Sequence, residues 1–391
     1  MTEAQTTLRP LRLGMVGGGQ GAFIGAVHRM AARLDGDYRL VAGALSSDAA
    51  RSVASGVALG LAPERCYADF RAMAQTEAGR PDGIEVVAIV TPNHLHHPVA
   101  AAFMDAGIHV ICDKPLTTTL ADALDLRQRA ANRGVRFLLT HNYSAYPLVR
   151  AARAMVARGD LGQVRVVQVE YAQDWLARDL ESSGQKQAAW RTDPALAGPA
   201  GCLGDIGTHA AQLAEFVCGM SPAEISADCA TFVPGRRVDD HVQVQLRYAN
   251  GARGLLWASQ VACGEENHLR LRVYGTDAAL HWDQENPNEL MWHPAGQAAR
   301  RLTRGMADLP AEAAQATRTP GGHPEGYLEA FANLYRDFAQ DLRDHAAGVV
   351  QPPRVPGLDD GVRSLAFVEA VLRSSAANAA WVSPHTPVSD L

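Results

Sequence analysis

The feature that most constrains this chain is a run of glycines set between a short apolar segment and a longer amphipathic one. LRLGMV, at residues 11–16, is followed at once by GGGQGA and then by FIGAVHRMAARL. This order predicts a strand, a tight turn and a helix. Gly17, Gly19 and Ala22 meet the G-x-G-x-x-G/A pattern. In that pattern the first glycine permits the turn, the second lets a pyrophosphate approach the backbone, and the third position lets the helix pack on the strand.

The N-terminus of a helix that follows such a turn attracts anions, because its first amide groups are free and the positive end of its dipole lies there. We therefore expect the phosphates of a dinucleotide to contact the turn at Gly17, Gly19, Gln20, Gly21 and Ala22. A glycine-rich loop without a ligand is the alternative, and the flanking strand and helix argue against it.

The next predicted strand, residues 38–45, completes a βαβ unit, and the residue after it usually decides between the two nicotinamide cofactors. Asp or Glu there would bond the ribose 2′-hydroxyl. Ser46 and Ser47 occupy this point, with Asp48 next and Arg51 beyond. Because serine can bond either a hydroxyl or a 2′-phosphate, the choice between NAD and NADP stays open. The lack of an arginine directly at the turn favours NAD.

Apolar strands and helices alternate up to residue 140. Strands are predicted at residues 84–90, 108–112 and 136–140, and helices at 98–106 and 120–133. Near-continuous apolar strands between helices indicate a parallel sheet covered on both faces, whose ligands bind beyond the carboxyl ends of the strands. The residues after these strands are polar: Thr91-Pro92-Asn93-His94, Asp113-Lys114-Pro115 and His141-Asn142-Tyr143.

The second half has a different pattern. After a predicted helix at residues 147–158, alternating polar and apolar positions indicate antiparallel strands. These strands are predicted at residues 164–171, 224–232, 241–248, 252–260, 269–274 and 278–282. The sequence therefore predicts a Rossmann-like, doubly wound α/β domain over residues 1–145. It predicts an α+β domain over residues 146–391, with an open-faced, mainly antiparallel sheet flanked by helices. The C-terminal helix can pack back on the first domain.

Charge and cysteine usage exclude several kinds of partner. The chain has 36 Lys and Arg against 42 Asp and Glu, a formal net charge of −6, so it lacks the basic excess typical of proteins that bind nucleic acid or anionic membranes. The six cysteines have no zinc-like spacing, and we expect reduced thiols in a cytoplasmic protein. His94, His96 and His97 have no carboxylate or cysteine partners nearby in sequence, so we predict no metal site.

Three segments, in this order, are the most distinctive: TPNHLH at residues 91–96, CDKPL at 112–116 and GCLGDIGTHAAQL at 201–213. Together they resemble the oxidoreductase family named after glucose-fructose oxidoreductase, inositol dehydrogenase and the rhizopine catabolism protein. The resemblance covers nearly the whole chain. Asp113 replaces the Glu that family members more often have before Lys-Pro, which affects only the fine geometry near the nicotinamide.

The resemblance implies an NAD(P)-dependent oxidoreductase in which Lys114 bonds the reacting oxygen and contacts the cofactor. Further cofactor contacts are implied for Thr91, Pro92, Asn93, His96 and Asp113. The implied substrate contacts are His94, Tyr143, Trp175, Trp190, Arg191, Asp205 and His209.

The residues themselves support the implied catalytic roles. Pro115 fixes its own φ and restricts its neighbour, so Lys114 is held on a stiff turn at the carboxyl edge of the sheet. Asp205 and His209 lie four residues apart at the predicted start of a helix, which places both on one face. The carboxylate can bond a substrate hydroxyl, and the imidazole can take the alcohol proton. The alternative is a helix-capping Asp205 and a histidine satisfied within its helix.

Two connecting stretches are long and polar. Residues 173–201 form a predicted loop, in which Trp175, Trp190 and Arg191 are candidates for contacts with a polyol ring; a loop of this length favours a function over disorder. Residues 295–322 are expected to form a lid or an oligomer arm, and the sequence does not decide between the two.

We expect hydride transfer between a nicotinamide and a secondary alcohol of a sugar, sugar derivative or inositol. A homodimer or homotetramer is expected to form through the C-terminal sheet, as in many members of the family. Two alternatives stay open. One is an NAD-dependent glycoside hydrolase or isomerase that recycles its cofactor within each turnover. The other is a non-catalytic, cofactor-binding regulator, against which the intact Lys114, Asp205 and His209 set argues.

Overall fold

Five parallel strands form the N-terminal sheet, in a computed structural model that describes residues 9–385. The strands are β1 (Leu11–Gly17), β2 (Tyr38–Ala44), β3 (Val86–Val90), β4 (His109–Cys112) and β5 (Phe137–Leu139). They lie in the order β2-β1-β3-β4-β5, so the strand order reverses next to β1. β3 is buried along its whole length, which explains the continuous apolar run VVAIV. The predicted Rossmann-like sheet is confirmed.

Helices connect these strands. They are α1 (Phe23–Leu34), α2 (Ala49–Ala58), α3 (Phe70–Ala78), α4 (His96–Asp105) and α5 (Leu120–Arg133). Short 3₁₀ turns lie at Pro63–Arg65, Asn93–Leu95, Asn142–Ala145 and Glu181–Ser183. The ends of α1 and α5 are those predicted, whereas α4 starts two residues earlier than predicted.

Eight strands form the second sheet. They are β6 (Val166–Ala172), β7 (Glu224–Ala230), β8 (His241–Arg247), β9 (Arg253–Ser259), β10 (His268–Tyr274), β11 (Ala278–Asp283), β12 (Glu289–Pro294) and β13 (Arg300–Thr303). Their order is β13-β12-β11-β10-β6-β9-β8-β7, and every neighbouring pair is antiparallel except β6 and β9. The predicted mainly antiparallel sheet is confirmed, with two more strands than the sequence indicated.

The remaining helices follow the first domain. They are α6 (Pro147–Ala157), α7 (Lys186–Arg191), α8 (Pro194–Ala197), α9 (Thr208–Cys218), α10 (Ala311–Gln315), α11 (Tyr327–Ala346) and α12 (Leu358–Ala376). α6 and α9 pack against the second sheet. Along β8, exposed side chains alternate with buried ones, so one face of the sheet is covered and the other is open.

Residues 295–322, for which a lid or an oligomer arm is expected, contain regular structure, and the choice between the two roles stays a prediction. They include the edge strand β13 and the helix α10. The Arg304 guanidinium that follows β13 is buried and donates to Thr319 O at 2.6 Å and to Glu325 Oε1 at 3.0 Å. The segment 173–201 is also less irregular than predicted, because it contains α7 and α8.

The C-terminal helices contact the first sheet. Tyr335 of α11 accepts a hydrogen bond at its backbone oxygen from Tyr38 of β2 at 2.9 Å, and its hydroxyl lies 2.8 Å from His28 Nδ1 of α1. α12 packs on α5 and on β7. Residues of both sheets therefore share one hydrophobic cluster. The domain boundary after residue 145 stays a prediction, and its outer limits, residues 1 and 391, lie outside the described residues.

Within residues 9–385, no helix has both the length and the apolar character that crossing a bilayer requires.

Candidate active site

The glycine turn after β1 has the conformation that its sequence predicts. Gly17, Gly18 and Gly21 have φ angles of 81°, 71° and 78°, in the left-handed region that glycine adopts without strain. A β-carbon on Gly19 would lie 2.6 Å from the backbone oxygen of Leu45. The turn therefore lies directly against the end of β2 and leaves a cradle that side chains would fill.

The third position of the pattern does not have the role predicted for it. A β-carbon on Gly25 would lie 2.4 Å from the Cα of Gly18, so Gly25 makes the close contact between α1 and the glycine turn after β1. Ala22 instead precedes α1 as its N-cap residue. The role assigned to Ala22 in helix packing was wrong, because the close contact falls at Gly25, three residues later than the pattern assumes.

The N-terminus of α1 is open to an anion. Ala22 supplies no side-chain cap, and the first turn of the helix has no acidic residue. α2 differs, since Asp48 Oδ1 accepts from Arg51 N at 2.7 Å. The backbone amide of Gln20 is already bonded to Ser55 Oγ at 3.2 Å. The free amides of α1 and the glycine cradle fit the phosphates of a dinucleotide.

Folding brings an arginine to the cofactor-selecting turn after β2. Ser46 Oγ accepts from Arg51 Nε at 3.1 Å and from the amide of Asp48 at 3.1 Å. Ser47 is exposed beside them. The turn therefore presents both a carboxylate and a guanidinium, although neither stands directly after the strand in the sequence.

Polar atoms without partners gather at the carboxyl ends of the parallel strands. Buried polar atoms are normally hydrogen-bonded, so a group of unpaired ones marks a place that a ligand would complete. Considering residues 9–385 alone, the unpaired atoms at these strand ends are Thr91 Oγ1, His94 Nδ1, both ring nitrogens of His141 and Asn142 Nδ2. They fit a site for the nicotinamide end of a dinucleotide and a polar substrate.

Two predicted cofactor contacts face the protein interior instead. His96 is buried, and its ring nitrogens lie 2.7 Å from Pro115 O and 3.0 Å from Thr91 O. Asp113 accepts from Thr140 Oγ1 at 2.6 Å and lies 3.4 Å from His28 Nε2. Both side chains are occupied by protein groups, so they position the loops after β3 and β4 rather than offer atoms to a ligand.

Asn93, another predicted cofactor contact, is also bonded within the protein. Its side-chain amide donates to Ala197 O at 3.0 Å, and Pro92 lies half-buried beside it.

An ion pair links the two halves of the molecule. The Lys114 ammonium, after β4, donates to Asp205 Oδ1 at 2.9 Å and to the backbone oxygen of Asp205. Gln260 Nε2 donates to Asp205 Oδ2 at 2.9 Å, and Arg191 Nε lies 3.5 Å from the same oxygen. Burial acts to raise the pKa of the Asp205 carboxyl, but the charges of Lys114 and Arg191 outweigh it and leave that pKa well below its usual value. Asp205 is therefore a fixed carboxylate and does not cap a helix.

His209 begins a helix that differs from the one predicted. Leu203–Gly207 is a π-helical turn, and the α-helix starts at Thr208. Asp205 therefore belongs to the π turn and His209 to the α-helix, so the simple α-helical i, i+4 relation does not apply. Such turns often occur at functional sites.

The His209 ring is enclosed by other rings. Its centroid lies 4.8 Å from that of Tyr143 and 5.6 Å from that of His141. Burial, followed by the Lys114 charge and His141, lowers the pKa of His209 well below its usual value. His209 is therefore neutral near pH 7 and can accept a proton. Nδ1 is enclosed, so Nε2 is the nitrogen available for this.

Tyrosine and amide side chains form a hydrogen-bonded wall beside His209. Tyr143 OH lies 2.5 Å from Tyr171 OH, which donates to Asn267 Oδ1 at 2.7 Å. Gln173 Nε2 donates to the same oxygen at 2.7 Å, and Trp175 Nε1 donates to Gln173 Oε1 at 3.0 Å. Trp175 therefore orients an amide. We call Tyr143, Tyr171, Gln173, Gln260 and Asn267 the amide wall.

The other predicted aromatic contact forms a stacked pair. The Arg191 guanidinium lies 4.2 Å from the ring centroid of Trp190, and its Nη1 also donates to Gln187. This stacking holds Arg191 on α7, at a distance that lets it reach Asp205. The Trp190-Arg191 pair is thus adjacent to the ion pair.

The fold brings to this region four residues that were not predicted from the sequence, His28, Gln173, Gln260 and Asn267, together with His141, which was noted only as a polar residue after β5. Gln173, Gln260 and Asn267 stand directly after β6, directly after β9 and directly before β10. Polar residues at strand ends were a usable signal, which the analysis applied only to the parallel sheet.

Over the described range 9–385, no group of three or more His, Cys, Asp or Glu side chains is arranged to hold a metal ion.

Comparisons with known proteins agree with this arrangement. Residues 11–141 match an oxidoreductase family with an NAD-binding Rossmann fold, and residues 149–281 match the GFO/IDH/MocA C-terminal domain. The chain belongs to the Gfo/Idh/MocA oxidoreductase family. The resemblance proposed from TPNHLH, CDKPL and GCLGDIGTHAAQL is thereby confirmed.

Three proteins are similar to this chain over nearly its whole length. An oxidoreductase from Sinorhizobium meliloti is 49% identical, with a TM-score of 0.87 over 96% of this chain and 100% of its own. An inositol dehydrogenase homolog from Azotobacter vinelandii, complexed with NAD+, is 37% identical, with a TM-score of 0.94 over 98% and 100%; it was also solved with NADH and myo-inositol. Levoglucosan dehydrogenase from Pseudarthrobacter phenanthrenivorans is 28% identical over 96% of this chain and 98% of its own.

The N-terminal sheet is therefore an NAD-binding Rossmann domain, and the prediction of a nicotinamide cofactor is confirmed. The individual contacts predicted for cofactor and substrate remain predictions.

Proposed function

We propose that this protein is an NAD(P)-dependent dehydrogenase that transfers a hydride between the nicotinamide and a secondary alcohol of a sugar, sugar derivative or inositol. The observation that carries the proposal is the Lys114–Asp205 ion pair, 2.9 Å between Nζ and Oδ1, beside a His209 held neutral. This arrangement offers a hydrogen-bond donor to an alcohol oxygen next to an acceptor for its proton.

A bound nicotinamide supplies the hydride acceptor in the oxidation direction. Lys114 donates a hydrogen bond from Nζ to the reacting oxygen and stabilises the negative charge that grows there as the proton leaves. His209 accepts that proton at Nε2. Asp205 keeps Lys114 in place, since two of the ammonium's hydrogen bonds go to Asp205 and the third stays available for the substrate.

The pocket residues orient the polyol. We propose that His94, Tyr143, Trp190 and Arg191 line it together with Asp205. Because Tyr143 is packed against the His209 ring, it fixes the direction from which a hydroxyl reaches Nε2. Trp175 acts indirectly, since its indole N–H is bonded to Gln173.

Assembly and location also belong to the proposal. We propose a homodimer or homotetramer that forms through the open face of the second sheet. Two large apolar residues support this: Leu255 on β9 is 43% exposed, and Phe232, two residues after β7, is 63% exposed. The six cysteines are free thiols, which supports a reducing, cytoplasmic location.

The experiment is an absorbance assay at the reduced-nicotinamide band. Purified protein is mixed with inositols, aldoses, anhydrosugars and glycosides, once with NAD+ and once with NADP+. We expect stoichiometric growth of the signal with one or more polyols, and growth at a strongly reduced rate with the Lys114→Ala variant. Product formed from a glycoside without net cofactor reduction would favour internal recycling instead. Cofactor binding without any turnover would favour a regulator.

A further inference from the structure

Gln260 occupies a buried position against the reacting groups. Its side chain is 2% exposed, and Nε2 donates to Asp205 Oδ2 at 2.9 Å. Its backbone amide donates to Asp240 O at 2.9 Å, and its backbone oxygen accepts from Leu176 N at 3.2 Å. The residue is therefore held at both its main chain and its amide nitrogen.

The ion pair decides how the Gln260 amide is oriented. An ionised carboxylate only accepts hydrogen bonds, so the NH2 group of Gln260 faces Asp205 and Oε1 faces away. From residues 9–385, Oε1 receives no hydrogen bond, and it is not among the enclosed unpaired atoms. A nearly buried acceptor that is neither bonded nor fully enclosed is available to a donor from a ligand.

The neighbouring donors are already committed. Trp175 can only donate, so its bond to Gln173 Oε1 at 3.0 Å orients the Gln173 amide. Gln173 Nε2 then donates to Asn267 Oδ1 at 2.7 Å, and Tyr171 donates to the same atom. No rotation of these amides brings a donor to Gln260 Oε1 without breaking the amide wall.

We propose that Gln260 is a specificity-determining residue that accepts a hydrogen bond, at Oε1, from a hydroxyl on the carbon next to the one oxidised. This rests on the proposed function. Lys114 and Gln260 bond the two oxygens of the same carboxylate, Asp205 Oδ1 and Oδ2. A polyol whose reacting oxygen is bound by Lys114 therefore brings its other hydroxyls near Gln260, and we assign the hydroxyl next to the reacting one to Oε1.

The test compares the polyol that gives the largest signal in the panel with its analogue deoxygenated next to the oxidised carbon. Examples are myo-inositol with a monodeoxyinositol, or D-glucose with 2-deoxy-D-glucose. In the wild-type enzyme we expect kcat/KM to favour the diol by about 10- to 100-fold, since the analogue leaves a buried acceptor unpaired. In Gln260→Leu the preference should fall to within about threefold. An unchanged preference in that variant overturns the proposal.

A second variant separates the two roles of the amide. Gln260→Glu keeps an acceptor but places a second carboxylate beside Asp205, which raises the carboxyl pKa values there. We expect the diol preference to persist and the acid limb of kcat/KM to move to higher pH. Loss of the preference in Gln260→Glu would contradict the proposal even if Gln260→Leu fails to fold.

The controls separate the role of Gln260 from the proposed dehydrogenase function. Gln75→Leu, an exposed glutamine on α3, should leave the preference unchanged, and NADH affinity within about twofold of wild type reports intact folding of each variant. A wild-type enzyme that oxidises no polyol defeats the proposed function, whereas an active enzyme with equal preference in Gln260→Leu defeats only the role of Gln260.

Discussion

The two sides of the candidate active site treat their polar groups in opposite ways. At the carboxyl edge of the parallel sheet, buried polar atoms of Thr91, His94, His141 and Asn142 have no partner within the described part of the chain. On the amide wall, whose members other than Tyr143 lie on the second sheet or next to the ends of its strands, Gln173, Asn267 and the tyrosines are bonded to one another. The edge is complete only with a ligand, whereas most of the wall is preorganised without one.

The difference indicates how binding energy is used. We propose that the unpaired groups at the edge gain hydrogen bonds from the cofactor and the substrate when these bind, and so contribute to binding affinity. The wall is ordered before binding, so it presents a fixed surface at little further entropic cost. Substitutions at the edge should therefore change the affinity for the cofactor, and substitutions in the wall or the ion pair should change kcat.

The largest expected effect comes from removing the proton acceptor. His209→Asn should lower kcat by about 10²- to 10⁴-fold and change NADH affinity little, because His209 lies on the wall side.

The pH dependence tests the same residue. In the wild-type enzyme, burial holds the pKa of His209 well below 6.5. A histidine with a lowered pKa stays neutral until the pH falls through that pKa. The acid limb of kcat/KM should therefore lie below pH 6.5, and it should disappear in His209→Asn. Pre-steady-state rates over a pH series measure both, and a limb at the ordinary histidine pKa would contradict the role of burial.

The second effect concerns the ion pair. Lys114→Ala should lower kcat by about 10²- to 10³-fold, the range for loss of a donor at a developing oxyanion, while the NADH dissociation constant changes far less. Lys186→Ala removes an exposed lysine on α7 and should leave both values unchanged. Turnover equal to wild type in Lys114→Ala would remove Lys114 from the mechanism.

A smaller effect, on the edge side, tests the glycine contact. Gly25→Ala should lower the free energy of unfolding by about 1–3 kcal/mol through overpacking against Gly18, although alanine normally stabilises a helix relative to glycine. It should also weaken NADH binding, because the displaced turn holds the phosphates. Ala22→Ser, at the position first assigned this role, should not lower the free energy of unfolding, because Ala22 is the N-cap residue of α1 and serine at an N-cap stabilises a helix relative to alanine. Chemical denaturation and fluorescence titration measure the two quantities.

The smallest effect concerns cofactor choice. Arg51→Ala should weaken NADP(H) binding by about fivefold relative to NAD(H), the order expected for loss of one exposed ion pair to a 2′-phosphate. Direct titration with both nucleotides gives the ratio. If the two affinities fall equally, Arg51 does not contact the ribose substituent.

The parallel half could be predicted closely from sequence because its signals are local. A glycine turn between a strand and a helix, and continuous apolar strands such as VVAIV, depend on neighbouring residues only. α1 and α5 accordingly begin and end where the sequence places them. The exception is instructive: the close contact with Gly18 falls at Gly25, three residues later than the usual pattern assumes.

The amide wall could not be predicted in the same way. Gln173, Gln260 and Asn267 come from separate strands, and their meeting depends on the parallel pairing of β6 with β9 within an otherwise antiparallel sheet. Pairing partners are not encoded in local periodicity. The π turn before His209 was missed for a related reason, since its sequence also fits an ordinary helix start.

The Lys114–Asp205 contact also limits how this chain can be recombined. Its two members come from different halves of the sequence, 91 residues apart, and Tyr335 adds a second bond across the same seam. A chimaera that takes residues 11–141 from one relative and the remainder from another inherits one member of each contact from each parent. Such a hybrid should fold if the core residues of its two parents are compatible. Its kcat should still be low if the residues on the two sides of these contacts do not match, so substrate specificity cannot be exchanged in this way without a change in rate.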